Sequence, residues 1–460
     1  MNKDWQQRIF FFLFQITFFS FASAQSQPTP PTVQFGKVDR ADLEMKVYAQ
    51  DSAAIAVVLY DKGLVSYVGD YQGFRMTFER HLRIKILSPD AYVWSRFEIP
   101  VYRNQSNNQG ELLLNLEGYT HLLNEDGKVV RHKLESQDVF QTKVSPDVTL
   151  TRFAMPYSNV GAVVEYKYTV QSDMIFNLPA WEFQRGIPTV WSEYEAKIPE
   201  YLAFSAYKQG DLALDIEKIE KYQDYFGLQG SIYTADIYKN RYAMQNVPAF
   251  LPTPDLQYPQ LLVNRMEFFL DSFKFPWMSK TEQVPNDWIS IHKQLQKDDV
   301  VNDFVKKSGE AKDFVKNLTD TLRNDYDKMK KLLQYVQNNV LFTGETSRVP
   351  SLKSANFLWA MKEKQGNTAD MNLFLLALLR HAKLKADYVV LSTKDAGHPK
   401  VDKVIFNKLN MLVVAVEIDG KMYLLDASDF DATPEKLPQR CKNRKGLIMS
   451  NEWRTVNLEN

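Results

Sequence analysis

Residues 366–372 read GNTADMN and lead into a long apolar run, LFLLALLRHAKLKADYVVLST. A Gly-Asn turn that opens a buried helix holds the next residue at the positive end of the helix dipole, a favourable place for a nucleophile. The residue in that place is Thr368. A threonine hydroxyl attacks a carbonyl only if a strong base beside it takes the proton. The other candidate nucleophile is Cys441, the single cysteine, within LPQRCKNRKG. Its basic neighbours lower a thiol pKa only if they crowd the sulfur, and a structural role is the alternative. Candidate bases are the six histidines, His81, His121, His132, His292, His381 and His398. None forms a pair at helical metal spacing, so neither a metal nor a cofactor is expected. His381 follows Thr368 on the same helix, about 20 Å along its axis at a rise of ~1.5 Å per residue, too far to act as its base. His398 falls in a loop and could stand in for a missing base, as Cys441 could for a missing thiol.

A structural reading of the same turn is simpler. Asparagine, threonine and aspartate favour helix starts because a side-chain oxygen accepts from unpaired backbone N–H groups. Gly366, Asn367 and Asp370 are therefore expected to form a helix-start cap, with Gly366 supplying a permissive turn and Thr368 a further cap-type side chain. Leu375, Leu376, Leu378 and Leu379 then bury the helix.

The elements that must position this turn follow from periodicity. From residue 41 to 245 the pattern is mostly period two. In RHLRIKILS, Leu82, Ile84 and Ile86 alternate with Arg83 and Lys85, and VVEYKYTV does the same around Glu165. One buried and one solvated face are expected, as in an antiparallel β-sandwich-like domain with Trp181, Trp191 and Tyr194 on a binding surface or in the core. Residues 246–285 form a connector with prolines in FLPTPDLQYPQLL, followed by a strand with Arg265 and Glu267 on its polar phase. Residues 286–460 read as α+β: amphipathic helices over 311–322 and 325–340, a short helix near 355–364, the GNTADMN helix, then strands ADYVVLST, LNMLVVAVEIDG and KMYLLDAS. No glycine-rich phosphate loop appears.

This order resembles the transglutaminase-like superfamily, with its papain-like α+β core. It lies in Gly-Asn-x-Ala-Asp at a helix start, a hairpin ending in YLLDAS, and the earlier motifs RHLRIKIL, VGAVVEYKYTV and LPAWEFQRGIPTVWSEYEAKIP. The N-terminal part is similar to the β-rich domain of unknown function that precedes such cores in exported Bacteroidota proteins. Relatives of this architecture commonly carry a further β domain after the core, where this chain stops at Asn460. The resemblance implies acyl transfer by a cysteine, a histidine and an aspartate, the thiolate attacking and the histidine moving the proton. It also implies that Thr368 stands at the cysteine position, Met411 at the histidine position, just after Asn410, and Asp426 at the aspartate position. A thioether accepts no proton usefully, so the expectation is a noncatalytic protein with a degenerate triad. A divergent cysteine- or threonine-type peptidase or amidase is the alternative.

The chain has 460 residues, 45% of them hydrophobic, and 56 basic residues against 56 acidic ones. No global field favours nucleic acid. Residues 1–24 read as a secretory signal peptide, with the apolar stretch 9–21 and Ala22-Ser23-Ala24 before the cut, and residues 25–40 as a flexible mature N-terminus. This stretch of thirteen residues, broken by Gln15, Thr17 and Ser20, is too short to span a bilayer, so no integral membrane span is expected after cleavage. Export sets the periplasm or cell envelope as the expected location, and an envelope protein, a peptide or a glycan-linked peptide as the expected partner.

Overall fold

The structure, a computed structural model, describes residues 28–459 apart from 72, 104–108, 146, 229, 298–299, 353, 361–363 and 398–403. Residues 1–24, expected from sequence to be a signal peptide, and His398 lie outside the described residues.

The N-terminal part is built on one large sheet. Its strands run in the spatial order Ile216–Leu228, Ser231–Val247, Thr189–Pro199, Ala56–Asp70, Gly73–Ile86, Val163–Ser172, Glu111–Leu123 and Val129–Lys133. The sheet is not wholly antiparallel: Ala56–Asp70 and Thr189–Pro199 pair in parallel, Val58 opposite Thr189. A parallel pair needs a crossover, and part of the chain that returns to Thr189, the short strand Trp181–Glu182, joins a second sheet beside Arg265–Phe273. That sheet also holds Leu202–Gln209, and a third joins Arg96–Tyr102, Val148–Ala154 and Val139–Ser145.

Alternation places the apolar phase inside, but the polar phase is not solvated. Arg83, Lys85 and Glu165 are all buried. The residues before the first strand, within the stretch 25–40 expected to be flexible, cover them. Gly36 N donates to Glu165 at 2.9 Å, Arg83 donates to the carbonyls of Gln34 and Lys37, and Lys85 Nζ donates to the carbonyl of Leu43 at 2.7 Å. A buried charge must be paired or fully hydrogen-bonded. Glu165 accordingly meets Arg83 at 2.6 Å, His81 at 2.7 Å and His121 at 3.2 Å.

Trp181, Trp191 and Tyr194 are core residues and form no exposed binding surface. The Trp181 ring lies so close to the neighbouring strand that a Cβ on Gly63 would come within 2.5 Å of it, which fixes glycine there. The proline connector contains no α-helix, only one short 3-10 turn over Pro259–Leu261. Glu267 is buried and Arg265 half-buried: they pair with each other, and Lys408 of the following core reaches Glu267 at 2.5 Å.

The C-terminal part is a helical layer on a sheet ordered Lys421–Leu425, Met411–Ile418, Lys385–Leu391, Lys445–Met449, Trp453–Asn457, with every pairing antiparallel. The helices Val300–Lys306, Lys312–Thr319, Asp325–Asn339 and Ala355–Ala360 surround Thr368–His381, while Trp288–Lys297 packs on the strands Lys445–Met449 and Trp453–Asn457. That central helix is apolar on all sides through Leu373–Leu379, the mark of a helix enclosed by neighbours. Leu412, Val414 and Val416 join its core, whereas Met411, Val413 and Ala415 point to the sheet's other face, which Leu437 and Cys441 cover.

Candidate functional site

The helix start is fixed before Thr368 is reached. Asn367 is the N-cap: its Oδ1 accepts from Asp370 N at 2.9 Å, and Asp370 Oδ2 accepts from Asn367 N at 3.0 Å. This reciprocal pair satisfies two backbone donors at once. Gly366 supplies no left-handed turn, since its φ is not positive. It is glycine for another reason, because a Cβ there would lie 2.6 Å from the Cβ of Asp370 and break the reciprocal pair.

The same side chains hold the loop in front of the helix. Asp370 accepts from Ser351 Oγ at 2.5 Å and Leu352 N at 2.9 Å, and Asn367 Nδ2 donates to the Val349 carbonyl at 3.1 Å. Thr368 belongs to this task and is not a cap. Its Oγ1 accepts from Ser347 N at 2.8 Å and donates to the Ser347 carbonyl at 2.7 Å, while its own N–H donates to the Glu345 carbonyl at 3.1 Å. The hydroxyl has one proton, and that proton is committed to a carbonyl. The side chain is wholly buried. Next to Ser347, Arg348 stacks on the Phe406 ring at 4.3 Å, so the loop reaches the segment around residues 404–408.

One helical turn after Thr368, Asn372 connects the helix to Asp426. Its Nδ2 donates to Asp426 Oδ1 at 3.0 Å and to the Leu412 carbonyl at 3.1 Å, and its Oδ1 accepts from Ala427 N at 2.8 Å. Asp426 Oδ1 also accepts from Ser428 Oγ at 2.6 Å and Ser428 N at 3.0 Å. Its Oδ2 accepts from Arg440 Nη2 at 2.8 Å. Arg440 thus gives the buried carboxylate a permanent cation.

Met411 and Cys441 do come together beside this carboxylate. The thiol lies 3.7 Å from Met411 Sδ and 4.0 Å from Asp426 Oδ2. Burial pushes the Cys441 thiol well above its ordinary pKa, and the Asp426 charge pushes the same way. The adjacent Arg440 guanidinium, which pairs with Asp426, favours the thiolate, but burial and the Asp426 charge outweigh it. Asn410 turns to Thr393, accepting from its N–H at 2.9 Å. His381 is bound to Ser308 at the far end of the helix, 2.8 Å from its Oγ. Among the described residues, no group of three histidine, cysteine or acidic side chains is arranged to hold a metal ion.

Of the residues singled out from sequence, then, Met411, Asp426 and Cys441 share one buried cluster, and Thr368 is linked to it through Asn372. Sequence reasoning missed Arg440, Asn372, Ser428 and Ser347. Asn372 alone carried a signal, being four residues after Thr368 and so on the same helix face. Nothing in the spacing marks Arg440 as the partner of Asp426.

The helical layer headed by the polar turn, and most of the strands beneath it, fall within a stretch that matches a family model, that of the transglutaminase-like superfamily. Residues 312–424 match that family's model, and the chain carries a transglutaminase-like core. The crystal structure of a "putative protease" from Parabacteroides distasonis ATCC 8503 is similar over 88% of this chain and 72% of its own, with a TM-score of 0.57 at 14% identity. That likeness is one of fold. A "putative cysteine protease" from Cytophaga hutchinsonii aligns over 77% of this chain and 78% of its own, at 11% identity and a TM-score of 0.23. No curated protein matches the chain.

Proposed function

We propose that this chain is a noncatalytic, exported transglutaminase-like protein that binds or scaffolds a peptide-bearing partner at the cell envelope. The observation that carries this reading is the pairing of Arg440 with the buried Asp426. In an acyl-transfer triad that carboxylate orients an imidazolium formed during turnover. Here a cation that never releases its charge already sits on it, and the residues implied at the nucleophile and base positions, Thr368 and Met411, are a spent hydroxyl and a thioether. The reading as a divergent peptidase has one observation behind it, the proximity of Cys441 to Asp426. The burial that raises the thiol pKa works against it.

A cleft beside this scaffold supports the ligand-binding part of the reading. A cleft of about 370 Å³ opens between the strand Arg265–Phe273 and residues 404–407, lined by Phe176, Phe268, Leu270, Val284, Ile405 and Phe406. Its size and apolar walls suit a short peptide segment. Through Arg348 and Phe406, the loop that Thr368 anchors reaches one wall. Export rests on the sequence of residues 1–24, and among the described residues no helix is long and apolar enough to cross a membrane. Titration calorimetry of the mature chain with envelope peptides and glycan-linked peptides is the test. Binding that Phe406→Asp abolishes supports the proposal, and absence of binding to every class overturns its ligand.

A further inference from the structure

The strand Ile216–Leu228 is the open edge of the eight-stranded sheet, and residues 217–225 are exposed on both faces. Open edges offer unpaired backbone groups to another strand, and proteins usually blunt them with charge. This one carries charge, in the run Ile216-Glu217-Lys218-Ile219-Glu220-Lys221-Tyr222. It also exposes Ile219 (63%) and Tyr225 (70%), and its hairpin mate exposes Ile232 (79%).

The order of these charges is not neutral with respect to self-pairing. When two copies of a strand pair antiparallel about a two-fold axis, the axis passes through one residue, which faces itself. Every other residue then faces its mirror position. Centring on Lys218, Glu220 or Lys221 places a charge against itself. Centring on Tyr222 sets Glu220 against Asp224. Centring on Ile219 places Ile219 on Ile219, Lys218 against Glu220, Glu217 against Lys221 and Ile216 against Tyr222. Each charged pair occurs twice, and no like charges meet.

We infer that the edge strand Ile216–Leu228 is a homodimerisation surface, in which a second copy of this chain adds its own strand antiparallel about Ile219 and joins two eight-stranded sheets into one. Opposite charges directly across such a pair stabilise it and like charges destabilise it. Within one copy, Lys218 already contacts Glu220 at 2.5 Å, and Glu220 lies 3.8 Å from Lys239. Pairing replaces the first contact with its equivalent across the axis. The surface lies apart from the Asp426 cluster and does not depend on the reading of that site.

Sedimentation equilibrium of the mature full chain, from low to high micromolar, tests this. The wild type is expected to dimerise. The single reversal Lys218→Glu sets Glu against Glu twice per dimer and is expected to raise the dissociation constant at least tenfold, as is Glu217→Lys. The double reversal K218E/E220K restores opposite signs and is expected to restore the dimer. These positions are solvent-exposed, so unfolding midpoints should stay within a degree or two, which separates lost pairing from lost folding. A wild type that stays monomeric throughout the range overturns the inference. So does a dimer that ignores the single reversals, or a double reversal that fails to recover it.

Discussion

Arg440 and Asp426 form an ion pair of 2.8 Å in which the carboxylate is wholly buried and the guanidinium side chain retains 27% exposure. Such a pair is weak evidence for net stability, because desolvation offsets the attraction. Breaking it from one side, however, strands a buried charge. Arg440→Met is expected to cost roughly 3 kcal/mol in urea unfolding. Adding Asp426→Asn to that variant should recover part of the loss, because the neutral amide no longer needs a cation.

Thr368 is expected to behave as an anchor of the loop around Ser347. Thr368→Val keeps the shape but leaves the Ser347 N–H and carbonyl without partners, at a cost of about 1–3 kcal/mol. The loop should open locally before the core does. Limited proteolysis should then cut within residues 343–350 of the variant while sparing the wild type.

How much of this was legible beforehand differs between backbone and site. Period-two and period-3.6 patterns locate the sheets and helices because burial follows spacing directly. They mislead at Arg83, Lys85 and Glu165, where a polar phase is covered by a segment distant in sequence. The capping pair Asn367 and Asp370 was readable because its partners are three residues apart. Arg440 and Ser347 were not, since each meets its partner only after the chain has folded back. Gly366 was readable as required but not for the right reason, since close approach to Asp370 leaves no mark on the local sequence.

Lys85 gives the fold an alkaline signature. Burial pulls its pKa down to about 8, and its ammonium is held by the Leu43 and Gly161 carbonyls. In the unfolded chain a lysine titrates near 10.4. Between about 8 and about 10.4 the unfolded state therefore binds more protons than the folded one, and stability rises with pH. The penalty of the buried charge is fully present below that window and relieved through it. The stability difference between wild type and Lys85→Met should shift toward the wild type by up to about 1.4 kcal/mol per pH unit there. Urea titrations from pH 7 to 10 check the slope.

Glu165 works in the opposite direction. Burial alone would raise its pKa, but donation from His121, His81 and Arg83 outweighs that and holds the carboxyl well below the usual range. Its contribution is present above the unfolded value near 4.3 and is lost as pH falls toward the folded one. Glu165→Gln is expected to be less stable at neutral pH and to show a shallower loss of stability below pH 4 than the wild type. Acid unfolding followed by tryptophan fluorescence distinguishes the two profiles.

The claim that the site does no acyl chemistry is tested most directly by turnover. Purified mature protein, its Thr368→Ala variant and its Cys441→Ser variant are incubated with a panel of peptide, peptidoglycan-fragment and glutamine-donor amides, and amine or ammonia release is followed by mass spectrometry. The expected result is release at the buffer rate for all three. Release by the wild type above the buffer rate that either substitution abolishes, measured at a temperature well below that variant's unfolding midpoint, would contradict it.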